Sequence, residues 1–210
     1  MHVYCFNEKL LSRNIKHNSK TQQIKINMDI KLKNEELGRK TVEEFKNIKK
    51  TPLVVVLDNV RSLHNVGSVF RSCDAFAIQT LYLCGYTGIP PNKEINKTAL
   101  GATESVSWKH EADIITLLTK LKQNGYTICA IEQTQQAVPL HTFAIDAEKK
   151  YALVFGNEVE GVQQKVIDHC HVVLEIAQGG TKHSLNIAVS AGVVLWEFFK
   201  GRFLGFKNRR

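Results

Sequence analysis

Three clusters in this chain hold residue types able to do chemistry, and each follows a short apolar run. The first is DNVRSLHNVGSVFRSCDAF, residues 58–76. Arg71 stands four residues after Gly67, so the two share a helix face, and helical side chains lean toward the N-terminus. Its guanidinium is therefore expected to reach back over a turn where Gly67 leaves room, with Asn65 capping the helix. That setting suits a phosphate or a carboxylate. A structural arginine paired with an acidic residue such as Asp58 fits the same spacing. The second cluster is VFGNEVEGV, residues 154–162, where Gly156 directly follows an apolar run and Glu158 and Gly161 come next. It describes a tight strand-to-helix loop with a carboxylate beside exposed backbone groups, although a plain turn has the same composition. The third lies within residues 174–186: Ile176 at a strand end, Gly179 and Gly180 in a loop, then Ser184 and Asn186 as polar groups at a helix start. Glycines there let the chain turn sharply and let a ligand approach peptide groups, and Ser184 is a good N-cap.

Several other chemistries are excluded. Neither GxGxxG nor GxxxxGK[ST] occurs, so the dinucleotide and P-loop phosphate fingerprints fail. His169 and His171 flank Cys170, but no second cluster stands at ligand spacing, and no metal is expected. The five cysteines (Cys5, Cys73, Cys84, Cys129, Cys170) form no CxxC pair and read as reduced cytosolic thiols.

The elements that must position these clusters follow from periodicity. Residues 53–58, LVVVLD, form a continuous β-branched run, the signature of a strand buried on both faces of a parallel sheet. Further strands are expected at 80–84, 126–131, 151–155 and 171–176, with helices at 65–76, 111–123 and 162–168. Strands alternating with helices predict an α/β fold with a mostly parallel sheet flanked by helices. Residues 85–103, with Pro90, Pro91 and several lysines, read as a long loop. The last helix, from Ser184 to about Phe199, is apolar on almost every side, too short for a membrane span, and calls for a second cover such as another subunit. Leu37, Val42, Phe45 and Ile48 mark one lysine-rich surface helix over residues 34–49. Residues 1–27 are polar without an apolar period and are expected to be disordered; Met28 is a second candidate start.

With 210 residues, 43% of them hydrophobic, the chain can bury one core: a domain at 51–199, a basic extension at 1–50 and a basic tail at 200–210. The net charge of +8 is unevenly spread. Residues 1–50 hold 12 Lys/Arg against 6 Asp/Glu and residues 200–210 hold 5 basic and no acidic residues, which leaves the body at −3. Basic ends on a mildly acidic body point to a polyanion, nucleic acid first, or to nothing more than solvated ends. No signal-type apolar segment opens the chain, and a cytoplasmic location is expected.

Taken in order, the three clusters resemble the motifs of the SpoU (TrmH-type) family of the SPOUT superfamily of RNA methyltransferases, over roughly residues 53–199. Asn65, Gly67 and Arg71 match the first motif, Gly156, Glu158 and Gly161 the second, and Ile176, Gly180, Ser184, Leu185 and Asn186 the third. Ala177 and Gln178 stand where the family often has Pro-Met. The resemblance implies a C-terminal trefoil knot holding S-adenosyl-L-methionine, a homodimer, and methyl transfer to a ribose 2′-hydroxyl of tRNA or rRNA. It assigns cofactor contacts to Gly156, Ile176 and Leu185, with Glu132, Thr134, Gly161 and Gly180 in support. Arg71 would activate the hydroxyl; because a guanidinium stays protonated, an electrostatic and positioning role is expected, with Asn65, Glu158, Ser184 and Asn186 orienting it or the substrate. The rival readings are a non-catalytic RNA-binding or ribosome-assembly factor on the same fold, and methyl transfer to a base.

Overall fold

The LVVVLD run forms the centre of the sheet. In the computed structural model, which describes residues 30–207 apart from the side chains of Asn34 and of residues 201–207, strand β1 spans Thr51–Asp58. Leu53, Val55 and Leu57 point to one face and Val54 and Val56 to the other, all at most 1% exposed. Strand geometry sends alternate side chains to opposite faces, so a run without polar alternation must be covered twice.

The remaining strands are β2 (Ile78–Cys84), β3 (Trp108–Glu111), β4 (Tyr126–Ile131), β5 (Val138–Pro139), β6 (Lys150–Phe155) and β7 (Val172–Glu175). They form one seven-stranded sheet in the order β3-β2-β1-β6-β4-β7-β5, and every pairing in it is parallel. The expected α/β fold with its parallel sheet is thus present. Two strands, β3 and β5, go beyond the sequence reading; both are short, and half-exposed β3 carries no apolar run.

Among the described residues seven α-helices accompany the sheet: α1 (Val42–Asn47), α2 (Leu63–Ala75), α3 (Lys93–Ala99), α4 (Ala102–Ser105), α5 (Ile114–Gln123), α6 (Gln164–Ile167) and α7 (Ile187–Lys207). Helices α2, α3 and α7 cover the Leu53 face through Val66, Val69, Phe70, Ile95, Ala99, Ala191, Val194, Leu195 and Phe198. Helix α5 covers the Val54 face with Ile114, Leu117, Leu118 and Leu121, joined by Val162 and Val166. Each fully buried Leu, Val or Phe stabilises this packing by about 1.5–3 kcal/mol.

Several expectations are corrected. Residues 85–103 are not one loop: Asn92 Oδ1 accepts from the N–H of Glu94 and Ile95 and starts α3, whose core face is only Ile95 and Ala99, too sparse a stripe to read. The helix expected over 34–49 is instead a 3₁₀ turn at Asn34–Leu37, ended by Gly38 at φ +58°, and the separate α1. Val42 onward is one compact unit, and the 3₁₀ turn belongs to the residues before it. The helix expected to close near Phe199 runs on to Lys207, into the segment expected as a tail. Residues 1–27, expected to be disordered, and Met28 lie outside the described residues.

Candidate functional site

Ser62, not Asn65, caps α2: its hydroxyl accepts from the Asn65 N–H at 3.3 Å. That leaves the Asn65 side chain free for longer-range work. Its Nδ2 donates to Glu158 Oε1 at 2.9 Å, and its Oδ1 accepts from Asn186 Nδ2 at 3.1 Å. Asn186 also takes the capping role expected of Ser184: its Oδ1 accepts from the Ala188 N–H at 2.8 Å and opens α7. One polar chain, Glu158–Asn65–Asn186, therefore joins all three motifs. Its polarity is fixed from one end. A carboxylate only accepts, so Asn65 must present its NH₂ to Glu158, which leaves its oxygen for the NH₂ of Asn186 and the oxygen of Asn186 for the helix.

Glu158 is further held by the N–H groups of Arg61 and Ser62, each 3.1 Å from a carboxylate oxygen. Partial burial works against its charge, but the Asn65 amide and the backbone N–H groups of Arg61, Glu158 and Ser62 outweigh it and hold the carboxyl below its ordinary range. Glu158 thus stays ionised as the anchor of the chain.

This chain edges a cavity of about 530 Å³, lined by loops that follow the carboxyl ends of β4, β6 and β7. Parallel sheets place their ligand crevices there. Of the expected cofactor residues, Gly156, Ile176, Leu185, Glu132 and Gly161 line it, as do Glu158, Ser184 and Asn186. Gly180 lines an adjoining hollow and Thr134 neither of these two. The glycines divide by physical role. A Cβ on Gly156 would lie 2.0 Å from the Gly161 carbonyl, and Gly161 itself has φ +67°, so both are demanded by the fold. Gly179 and Gly180 have nothing within 4 Å and no positive φ, so the turn expected there does not depend on them.

Asn157 and Gln133, which the sequence reading passed over, complete the loop together with Glu132, which it named. Asn157, 6% exposed, turns it by accepting from the N–H of Val159 and Glu160, and exchanges backbone hydrogen bonds with Gly161. An Asn directly after a strand-end glycine was the available signal. Glu132 braces the loop: its oxygens accept from the N–H of Val162 at 2.9 Å and of Gln133 at 2.8 Å. Gln133 in turn donates to the His183 carbonyl at 2.6 Å, tying the β7–α7 loop to the end of β4.

Arg71 stands apart. It is exposed, about 120° around α2 from Asn65, and outside the cavity lining. The room expected for it at Gly67 is filled by α3: a Cβ there would lie 2.2 Å from both the Ile95 carbonyl and Thr98 Oγ1. Gly67 is a helix-packing glycine. Nor is Asp58 its partner, being buried and bound by Asn59 Nδ2 at 2.9 Å. His169 and His171 are committed to backbone, to the Lys165 carbonyl and the Ile128 N–H respectively.

The model of the SpoU rRNA Methylase family matches residues 52–196. The chain belongs to this family. Among curated SpoU-type relatives it is 30% identical over 166 residues to the 23S rRNA (guanosine-2′-O-)-methyltransferase of Neisseria meningitidis, covering 79% of this chain and 64% of that protein. It is 29% identical over 162 residues to the tRNA (guanosine(18)-2′-O)-methyltransferase of Thermus thermophilus, covering 77% of this chain and 81% of that protein. The chain spans about three fifths of the length of the first of these relatives. Among solved structures, the A. aeolicus TrmH/SpoU tRNA modifying enzyme superposes with a TM-score of 0.71 at 26% identity, covering 80% of this chain and 84% of that one.

Proposed function

We propose that the chain is an S-adenosylmethionine-dependent RNA methyltransferase acting on a ribose 2′-hydroxyl of tRNA or rRNA. The observation that carries this reading is the make-up of the cavity. Glu132, Glu158, Glu160 and Glu175 line it, and among the described residues no Lys or Arg does. Such a lining suits a cationic ligand and disfavours a nucleotide polyphosphate. S-adenosylmethionine bears a sulfonium and an ammonium, and about 530 Å³ is within the usual range for a ligand of its size. When bound it supplies an electrophilic methyl group. Gly156, Ile176 and Leu185 would hold it along the strand ends, with Glu132 keeping the Gly161 turn in place. The trefoil knot implied by the family resemblance belongs to the same reading, supported by the superposition on the TrmH/SpoU structure.

The chain's own residues would orient the acceptor. Glu158 fixes Asn65, which fixes Asn186, so the amides at the cavity edge have one orientation without substrate. Preorganised donors of this kind cost no reorganisation when charge develops on the hydroxyl oxygen. Glu158 has its oxygens committed to N–H donors and orients rather than removes the proton. Arg71, expected to stabilise phosphate and developing alkoxide, lies outside the cavity of its own chain. A homodimer reconciles the two facts. Val189, Val193 and Trp196, at helical spacing on α7, are 53%, 41% and 49% exposed. The first turn of α7 lines the cavity, and Phe76 after α2 meets Trp196 at 6.1 Å. A second copy covering that stripe would sit at the cavity mouth and bring its own α2. Basic groups outside the body would hold RNA phosphates, so affinity should fall steeply with salt.

The test is calorimetric titration of the protein with S-adenosylmethionine, followed by tritiated methyl transfer to total cellular RNA and nucleoside analysis. Binding with label in a 2′-O-methyl nucleoside is the expected result. Label in a base shifts the assignment to base methylation, and absence of binding favours the assembly-factor reading.

A further inference from the structure

The β2–α3 connection carries a second feature that the cavity does not use. Tyr86 is 58% exposed, yet the backbone on both sides of it is locked. Its N–H donates to Asn59 Oδ1 at 3.2 Å, and Asn59 Nδ2 donates to the buried Asp58. Gly85, at φ +61°, packs so closely on Asn59 that a Cβ would lie 2.1 Å from Asn59 Oδ1. Thr87, 3% exposed, accepts from the Val60 N–H at 3.0 Å and donates to the Leu57 carbonyl at 3.1 Å. Asn59 itself has φ +56°, and non-glycine residues in that region concentrate at functional sites because they cost energy elsewhere avoided. A single exposed aromatic is unremarkable. One mounted on five hydrogen-bonding and packing constraints, with its ring left in water, is a presented surface.

Its location relates it to the site. The segment that holds Tyr86 through Asn59 continues to Arg61 and Ser62, whose N–H groups hold the Glu158 carboxylate. The Arg61 guanidinium lies 6.0 Å from the Tyr86 ring centroid, within cation–π range, and makes no ion pair among the described residues. The Tyr86 hydroxyl first, then the carboxylates of Glu160 and Glu158, keep it firmly protonated.

We propose that Tyr86 is a stacking platform for an unpaired base of the substrate RNA beside the methyl acceptor, with Arg61 at its edge for the adjoining phosphate. The inference rests on the RNA methyltransferase reading and adds how the acceptor is presented. A ribose inside a helical stack offers its hydroxyl poorly to a recessed cavity, and proteins hold unstacked bases on Tyr rings and guanidinium planes. The ring takes the base, and the guanidinium takes the adjoining phosphate. Tyr86 is then a specificity and positioning residue for RNA, independent of cofactor binding.

The experiment uses the full-length protein, a short single-stranded RNA with 2-aminopurine at its centre, and total cellular RNA as methyl acceptor. Wild type is expected to quench 2-aminopurine fluorescence. Tyr86→Ala should lose the quench and raise the KM for RNA roughly five- to hundredfold, the range for one lost base stack, with kcat and S-adenosylmethionine affinity held within about twofold. Tyr86→Phe should restore both readouts, and Tyr86→Leu, which keeps apolar bulk without a π-face, should restore neither. A leucine variant as good as phenylalanine overturns the platform, as does an unchanged KM in Tyr86→Ala when wild type methylates RNA; the function reading then stands. If wild type transfers no methyl group, that reading falls, and the quench alone judges the platform: without it the platform is wrong.

Discussion

Substituting Gly156 by Ala tests whether the loop at the end of β6 builds the cofactor cavity. The new Cβ would lie 2.0 Å from both the carbonyl carbon and oxygen of Gly161 and 2.3 Å from the Val162 nitrogen. All three are backbone atoms, so no rotamer change can relieve the overlap. Restoring ordinary contact moves residues 157–162 by about 1.4 Å, from 2.0 to 3.4 Å. Overpacking of this kind costs about 1–3 kcal/mol. The shift also breaks the Asn157–Gly161 pair of backbone hydrogen bonds, at 3.2 and 3.0 Å, adding about 1 kcal/mol each. The sum is about 3–5 kcal/mol, which for a chain of this size lowers Tm by about 6–20 °C. Because the same loop lines the cavity, S-adenosylmethionine affinity should fall at least about tenfold, equivalent to about 1.4 kcal/mol. Scanning calorimetry and isothermal titration measure the two effects, with Gly179→Ala and Gly180→Ala as controls expected within about 0.5 kcal/mol of wild type. A Gly156→Ala protein with wild-type Tm and wild-type cofactor affinity would refute the assignment of this loop.

Four further outcomes are expected. Glu158→Gln replaces one acceptor oxygen with an NH₂, which must oppose either the Arg61 N–H or the Ser62 N–H and Asn65 NH₂, and so loosens the hold on Asn65; kcat should fall roughly a hundredfold, the cost of about 1 Å of misplacement, with cofactor affinity retained, and an unchanged kcat excludes the orienting role. The depressed Glu158 carboxyl contributes stability that is present above the ordinary carboxylate pKa of about 4.3 and lost as pH falls through its folded value, so wild-type Tm should drop more steeply than that of Glu158→Gln below about pH 4. Arg71→Ala and Glu158→Ala chains should each be inactive, but mixed one to one and allowed to exchange they should recover about a quarter of wild-type turnover, because half the dimers are mixed and each has one intact site; no recovery places Arg71 in its own chain's site. Burial raises the Asp58 carboxyl, with Lys165 opposing and Asp113 adding; its favourable contribution is complete below the unfolded value of about 3.9 and lost as pH rises through the folded one. Asp58→Asn, which keeps an acceptor for Asn59, should flatten that loss and leave Tm at pH 7 no lower than wild type, and a lower Tm counts against it.

Much of the molecule was readable from one dimension. The β-branched run 53–58, the apolar strands at 126–131 and 151–155 and the stripe of α2 announced a doubly covered parallel sheet, because side-chain alternation and helical periodicity are local properties of the chain. The three polar clusters were likewise visible as residue types at strand ends. Their roles were not. Whether Asn65 caps a helix or reaches Glu158, 93 residues on, depends on Ser62 taking the cap and on β1 and β6 lying side by side. Asn186, 121 residues from Asn65, joins it only because α7 packs on the same face as α2. Gly67 and Arg71 looked like one anion site by spacing; the packing of α3 on Gly67 separates them, since a glycine is as useful for letting a helix approach as for admitting a ligand. Short elements such as α3, β3 and β5 stayed hidden for a related reason: with two buried side chains in α3 and only partly buried or exposed ones in β3 and β5 they set no period, and only contact with distant neighbours makes them fold.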